Sequence, residues 1–219
     1  TGQVPREDLY SFTKPGSAWY AWEWLSDLVL GFAYRWGGLK GVALLGAGIC
    51  CLASVMVFRF ALSISGGVFV SLGLALLATG VAGIHFLSRP HIFTLLLLPL
   101  FLWTLMRDRR QHTAWVWGLI PLTAVWTNLH GGFLGGVASV FVFAAGAFGE
   151  GLLDPAHRRA KFQSAARYAA LGSGCLAASL LNPYGWRLQV HLYHYLRSDW
   201  IREVVEEFQA PKFRTESEF

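Results

Sequence analysis

The chain has 219 residues, of which 54% are hydrophobic, 15% aromatic and only 14% charged, with a mean hydropathy of +0.44. A soluble globular surface needs more charge than this, so an ordinary water-soluble domain is excluded in favour of a membrane chain. The formal charge of +5 and pI near 9.3 come from basic residues at the ends of apolar runs rather than a stripe on one face, which argues against nucleic-acid binding.

Residues 1 to 17 are polar and turn-rich, with Pro5, Pro15 and Gly16 as breakers, and lack the apolar core of a signal peptide. From Ala18 to Tyr34, Leu25, Leu28, Val29 and Phe32 fall at helical spacing among Trp19, Trp22 and Trp24. Tryptophans favour the headgroup layer, so this stretch is expected to be an interfacial amphipathic helix. The first spanning helix is expected at Gly41 to Phe58, between Lys40 and Arg59, and a second follows a break at Ser63 to Gly67 and covers Val68 to Phe86. Ser88-Arg89-Pro90-His91 opens a third that runs to Met106, where Arg107 to His112 form a charged stop. A fourth, Thr113 to Thr127, is short and carries Pro121; a fifth covers Phe133 to Phe148. His157 to Lys161 make a basic break before a sixth, Ala165 to Leu181.

The expected fold is therefore all-α: a polytopic transmembrane helix bundle with an interfacial helix in an outer loop. Its three parts are an extracytoplasmic loop (1–39), a bundle of about six helices (40–181) and an extracytoplasmic amphipathic segment (182–219). Short loops rich in Lys and Arg stay in the cytoplasm, so 107–112 and 157–163 set the orientation. Alternation then puts five of the seven histidines, His85, His91, His130, His191 and His194, on the outer face.

Four polar patches on that face are candidates for chemistry. Carboxylates of the first loop, with Asp8 and Glu23 preferred, suit a general base whose pKa is tuned by desolvation; the alternative is solvated loop charge. Arg89 with His91 at a helix start would seat a phosphate, or Arg89 would reach up to lipid headgroups. Asn128 and His130, in the island Trp126 to Gly132, would hydrogen-bond a sugar or diphosphate, with Gly131-Gly132 allowing close backbone approach; a helix cap and tight hairpin is the competing account. Asn182 and Tyr184 close the last span as supporting groups, although Pro183 and Gly185 already explain a helix stop. Cys50, Cys51 and Cys175 have no metal or disulfide spacing, and His191 and His194 lack an acidic partner nearby. No metal site is expected, and a need for a divalent cation is left open.

Taken in order, Val4-Pro5-Arg6-Glu7-Asp8 with Ser11-Phe12-Thr13, Glu23-Trp24-Leu25-Ser26, Ser88-Arg89-Pro90-His91, Asn128-Leu129-His130-Gly131-Gly132 and Leu181-Asn182-Pro183-Tyr184-Gly185 resemble bacterial relatives of the GT-C superfamily. These are membrane glycosyltransferases that use polyprenyl-phosphate sugars. The resemblance implies an inverting transfer at the outer face of the bacterial cytoplasmic membrane, with an acidic base in the first outer loop after a first membrane helix. This chain begins inside that loop and stops within an outer segment, Glu206 to Phe219, so it is expected to be a fragment truncated at both ends. The partners implied are the bilayer, a polyprenyl-phosphate-linked sugar and an acceptor whose identity the resemblance does not specify. Two readings compete: a transporter or flippase, whose path should continue through polar residues inside the spans, and a non-enzymatic assembly subunit.

Overall fold

A computed structural model describes residues 6–9 and 11–204, with Ile84 and Arg202 described by backbone alone. Among these residues the chain is helical without named strands. Its helices are α1 Trp24–Ser65, α2 Val68–Ala82, α3 Ile92–Gln111, α4 Leu119–Leu129, α5 Phe133–Leu153, α6 Arg158–Ala178, α7 Arg187–Arg197 and α8 Asp199–Val204, with 3₁₀ turns at Gly83–His85 and Ala114–Gly118. Two compact units result, one up to Asn182 and one from Pro183.

The interfacial stretch and the first apolar run form a single 42-residue helix, broken at Gly38, where φ 57° and ψ −149° leave helical space. Only glycine adopts such a backbone without a Cβ penalty, so the amphipathic front of α1 can set its own direction. The windows of best hydropathy in α1 and α5 reach 2.3 and 1.7, long and apolar enough to cross a membrane, while α2 is apolar but shorter. Only 22% and 28% of those windows is buried within the protein, whereas the core helix of a soluble domain is mostly covered. What these helices turn inward is small: Ser26, Gly46, Cys50 and Ala53 on α1, Ser71 and Ala75 on α2. What they turn outward is large, including Leu44, Leu52, Phe69, Leu77 and Val81. Small residues at helix contacts and bulky apolar ones outside are the distribution that lipid, not water, rewards.

Polar contacts fix the relative directions of the helices. Ser88, just before α3, donates to the Val42 carbonyl just past the Gly38 break in α1, and Arg110 near the end of α3 donates to the Ser63 carbonyl late in α1. Helices α1 and α3 therefore run parallel and pack directly on each other, with α2 returning antiparallel along α1. The short turn after α4 and the pairing of α5 with α6 continue the alternation. One end of the unit holds the starts of α1, α3 and α5 and the end of α4; the other holds Arg59, Arg110, Lys161 and Arg167.

Several boundaries depart from the sequence reading. Arg107 to Gln111 extend α3, which closes at His112 in a left-handed conformation, and Arg158 to Lys161 begin α6. Charge ends the apolar run there but not the helix, because Arg, Lys and Gln are good helix formers. The second run is α-helical only to Ala82. The fourth span is a 3₁₀ turn followed by the 11-residue α4, with Pro121 in its first turn, where the missing N–H has no intrahelical acceptor to lose.

In the second unit, α7 and α8 carry His191, His194 and the Arg197 guanidinium, which lies 4.8 Å from the centre of the Tyr193 ring. Val4 and Pro5 of the first-loop motif and the terminal stretch Glu206 to Phe219 lie outside the described residues.

Candidate functional site

The site grows from a clamp between the start of α1 and the turn joining α4 to α5. Trp24 Nε1 donates to Asn128 Oδ1 at 2.6 Å, and Ser26 Oγ donates to the Leu129 carbonyl at 2.6 Å. The Asn128 amide nitrogen donates to the carbonyls of Ala124 (2.7 Å) and Leu181 (2.9 Å). Both amide protons are thus used, and the residue is only 7% exposed. Asn128 ties α1, α4 and the end of α6 together, so the donor-binding role expected for it gives way to a structural one: a buried amide with its hydrogen bonds satisfied has little left to offer a ligand.

This clamp delivers Glu23, the residue preceding α1, to the His130 turn. The Glu23 carboxylate accepts the Gly131 N–H and lies 3.7 Å from His130 Nε2. Burial pushes Glu23 up to about 7, against the Gly131 hydrogen bond and with help from nearby Asp27. His130 is pulled down to about 4, chiefly by burial and also by the neighbouring His91. At neutral pH the 3.7 Å approach therefore sets a neutral imidazole beside a carboxyl group poised between its two forms, rather than an ion pair.

The other side of the His130 ring is fully engaged. Nδ1 lies 2.8 Å from Thr94 Oγ1 and accepts the Gly132 N–H at 3.0 Å, while Trp126 Nε1 donates to the same Thr94 oxygen at 3.0 Å. Gly132 must be glycine for reasons of space: a Cβ there would fall 2.7 Å from Thr94 Cγ2 and 2.9 Å from His130 Nδ1. His91 stands next in line, its ring 6.5 Å from that of His130 and 6.1 Å from that of His85, with Nε2 donating to the His85 carbonyl at 2.6 Å.

Of the residues singled out in the sequence, Glu23, His91 and His130 are brought together. Arg89 is exposed in the turn that carries His91 and pairs with no acid among the described residues. Asp8 is placed differently from the catalytic role expected of it. It is buried, and its two carboxylate oxygens accept from the Ser11 N–H (2.9 Å) and Ser11 Oγ (2.5 Å), beside the bridge that pairs Glu7 with Ala18. A carboxylate committed to its own turn organises the loop. Asn182 donates to the Ser179 carbonyl at 2.9 Å at the end of α6, whereas Tyr184 belongs to the second unit. Among the described residues no cluster of His, Cys, Asp or Glu is arranged to hold a metal ion.

Thr94 is a participant that motif reading passes over, and Trp24, read as an interfacial tryptophan, is a hydrogen-bond partner of Asn128. Thr94 had a signal: it is one of only two hydroxyls, with Thr104, in an apolar run and sits three residues after His91, one helical turn along the same face. The resulting geometry sets a carboxyl able to take a proton 3.7 Å from an imidazole nitrogen. No protein-family model, curated protein or solved structure matches this chain.

Proposed function

We propose that this chain is part of a multi-pass protein of the bacterial cytoplasmic membrane that transfers a sugar from a polyprenyl-phosphate donor to a hydroxyl acceptor at the outer face, as the GT-C resemblance implies. The observation that carries the reading is Glu23: a partly buried carboxyl held near neutrality and presented beside a neutral histidine at the end of a lipid-suited bundle. General bases work best when their pKa lies near the operating pH. The acceptor hydroxyl gives its proton to Glu23 as its oxygen attacks the anomeric carbon. The bond from that carbon to the phosphate oxygen breaks, and polyprenyl phosphate leaves with the electron pair. Arg89, charged and unmatched by an acid among the described residues, is suited to the phosphate that gathers this charge.

His130 takes a different part from the phosphate contact expected in the sequence. A neutral imidazole next to a carboxylate is a poor seat for an anion, but its Nε2–H is a good donor to an incoming hydroxyl. Orientation follows from charge. Arg59, Arg107, Arg109, Arg110, Arg158, Arg159, Lys161 and Arg167 gather away from the histidine end, and such an excess stays cytoplasmic. Polarity concentrated at one boundary also favours surface chemistry over a path through the bilayer.

The test is turnover of radiolabelled polyprenyl-phosphate hexose and pentose by the complete protein in liposomes. Glu23→Gln is expected to lower kcat by about 10²- to 10⁴-fold, the usual contribution of a positioned acid or base, and Arg89→Ala to raise the KM for donor. Unchanged turnover in a folded Glu23→Gln protein would remove Glu23, and with it this reading.

A further inference from the structure

The geometry points to Thr94 as a positioning residue that holds His130 as the Nε2–H tautomer, with that proton aimed at Glu23. The chain of donors leaves little freedom. A backbone N–H can only donate, so the 3.0 Å contact from Gly132 makes Nδ1 an acceptor. The proton of a neutral imidazole must then sit on Nε2, the atom 3.7 Å from Glu23. The indole N–H of Trp126 also can only donate, and it takes up a lone pair of Thr94 Oγ1 from 3.0 Å. The Thr94 hydroxyl proton is thereby turned towards Nδ1, 2.8 Å away, as the second donor to that nitrogen. Two hydrogen bonds from two different helical elements fix the plane of the ring as well as its tautomer, in the way outer partners set the proton position of catalytic and metal-bound histidines.

A threonine is well suited to this position. Its hydroxyl and methyl both pack where a Cβ on residue 132 would fall, and its hydroxyl relays the direction of the Trp126 donor to the imidazole. Trp126 is fully buried and rests edge-on against Phe101 with ring centres 5.2 Å apart, so the head of the relay is anchored in the interior. The effect of Thr94 on rate rests on the transferase reading; its effect on the tautomer does not.

The experiment is nitrogen NMR of the complete protein, labelled with ¹⁵N-histidine, in nanodiscs at pH 7, with the His130 signals assigned by their loss in His130→Gln. Nδ1 is expected to be unprotonated and Nε2 protonated. Thr94→Val, which keeps the shape but deletes the hydroxyl, is expected to raise the Nδ1–H population by about two- to tenfold, the equivalent of one hydrogen bond. Thr94→Ser should restore the original ratio. Trp126→Phe, which removes only the upstream donor, should shift the ratio in the same direction by less, and it serves in place of Thr94→Val if that variant does not fold. In turnover, Thr94→Val should lower kcat at constant donor KM, with no further loss when added to His130→Gln. A proton found on Nδ1 of the unaltered protein, or a ratio indifferent to both variants, would overturn the assignment. A shifted ratio in a protein that consumes no polyprenyl-phosphate sugar would support the positioning role while ending the transferase reading.

Discussion

The two ends of the larger unit handle carboxylates in opposite ways. At the basic end Asp108 is fully buried, yet it receives two hydrogen bonds from Arg167, at 2.9 and 3.4 Å, and that guanidinium also donates to the Thr113 carbonyl and lies over the Trp117 ring. Glu150 is held there by Arg109 and by Lys161 at 2.6 Å. At the histidine end, by contrast, Glu23 forms no ion pair with Lys or Arg among the described residues, and burial outweighs the opposing hydrogen bond from Gly131. The lesson concerns partners rather than depth: the more buried acid is the one built into a charge pair, and the half-open one is left able to change its protonation state.

Breaking the basic end should have the largest effect on folding. Arg167→Met strands the Asp108 carboxylate away from water and is expected to cost about 3–5 kcal/mol, read as loss of thermal stability in detergent. An unaltered melting profile would mean that the pair is not closed in the folded protein. At the opposite end Asn128→Ala removes three hydrogen bonds of the clamp. It is expected to destabilise by about 1–3 kcal/mol and, by loosening the start of α1, to lower turnover through misplacement of Glu23. Full turnover in a destabilised Asn128→Ala protein would show that the clamp serves stability alone.

The smallest effect separates the two partners of the seat. Glu23 is raised from 4.5 to about 7, so the protonated form is favoured by folding; its stabilising contribution is complete below 4.5 and disappears as pH rises through 7. His130 is lowered from 6.5 to about 4, so its contribution is present above 6.5 and disappears as pH falls through 4. Between pH 4 and 7 the two trends oppose each other and nearly cancel. Glu23→Gln should expose a loss of stability on acidification, and His130→Gln a gain. Each is expected to be on the order of 1 kcal/mol across the window, given solvent access to a seat about one-third open. Parallel slopes in the two variants would show that Glu23 and His130 do not share one desolvated site.

Much of the site was legible in the sequence. Glu23 and His130 stood out because titratable side chains next to long apolar runs are costly without a purpose. Asp8 looked equivalent to Glu23 by the same criterion, and only the turn that folds Ser11 back onto it tells them apart. Asn128 drew attention by its polarity, and in the structure that polarity meets Trp24 and two backbone carbonyls.

By itself, the sequence determined the helical character of the described residues, the apolar runs of α1, α2 and α5, and the basic stretches that follow the apolar runs of α3 and α5, because periodicity and composition act locally along the chain. The tertiary structure alone decided where the helices end within charged stretches, which acid reaches the His130 turn, and that Thr94 and Trp126 line up beside one imidazole. Those outcomes depend on contacts between residues 32 and 104 positions apart, which no local pattern encodes.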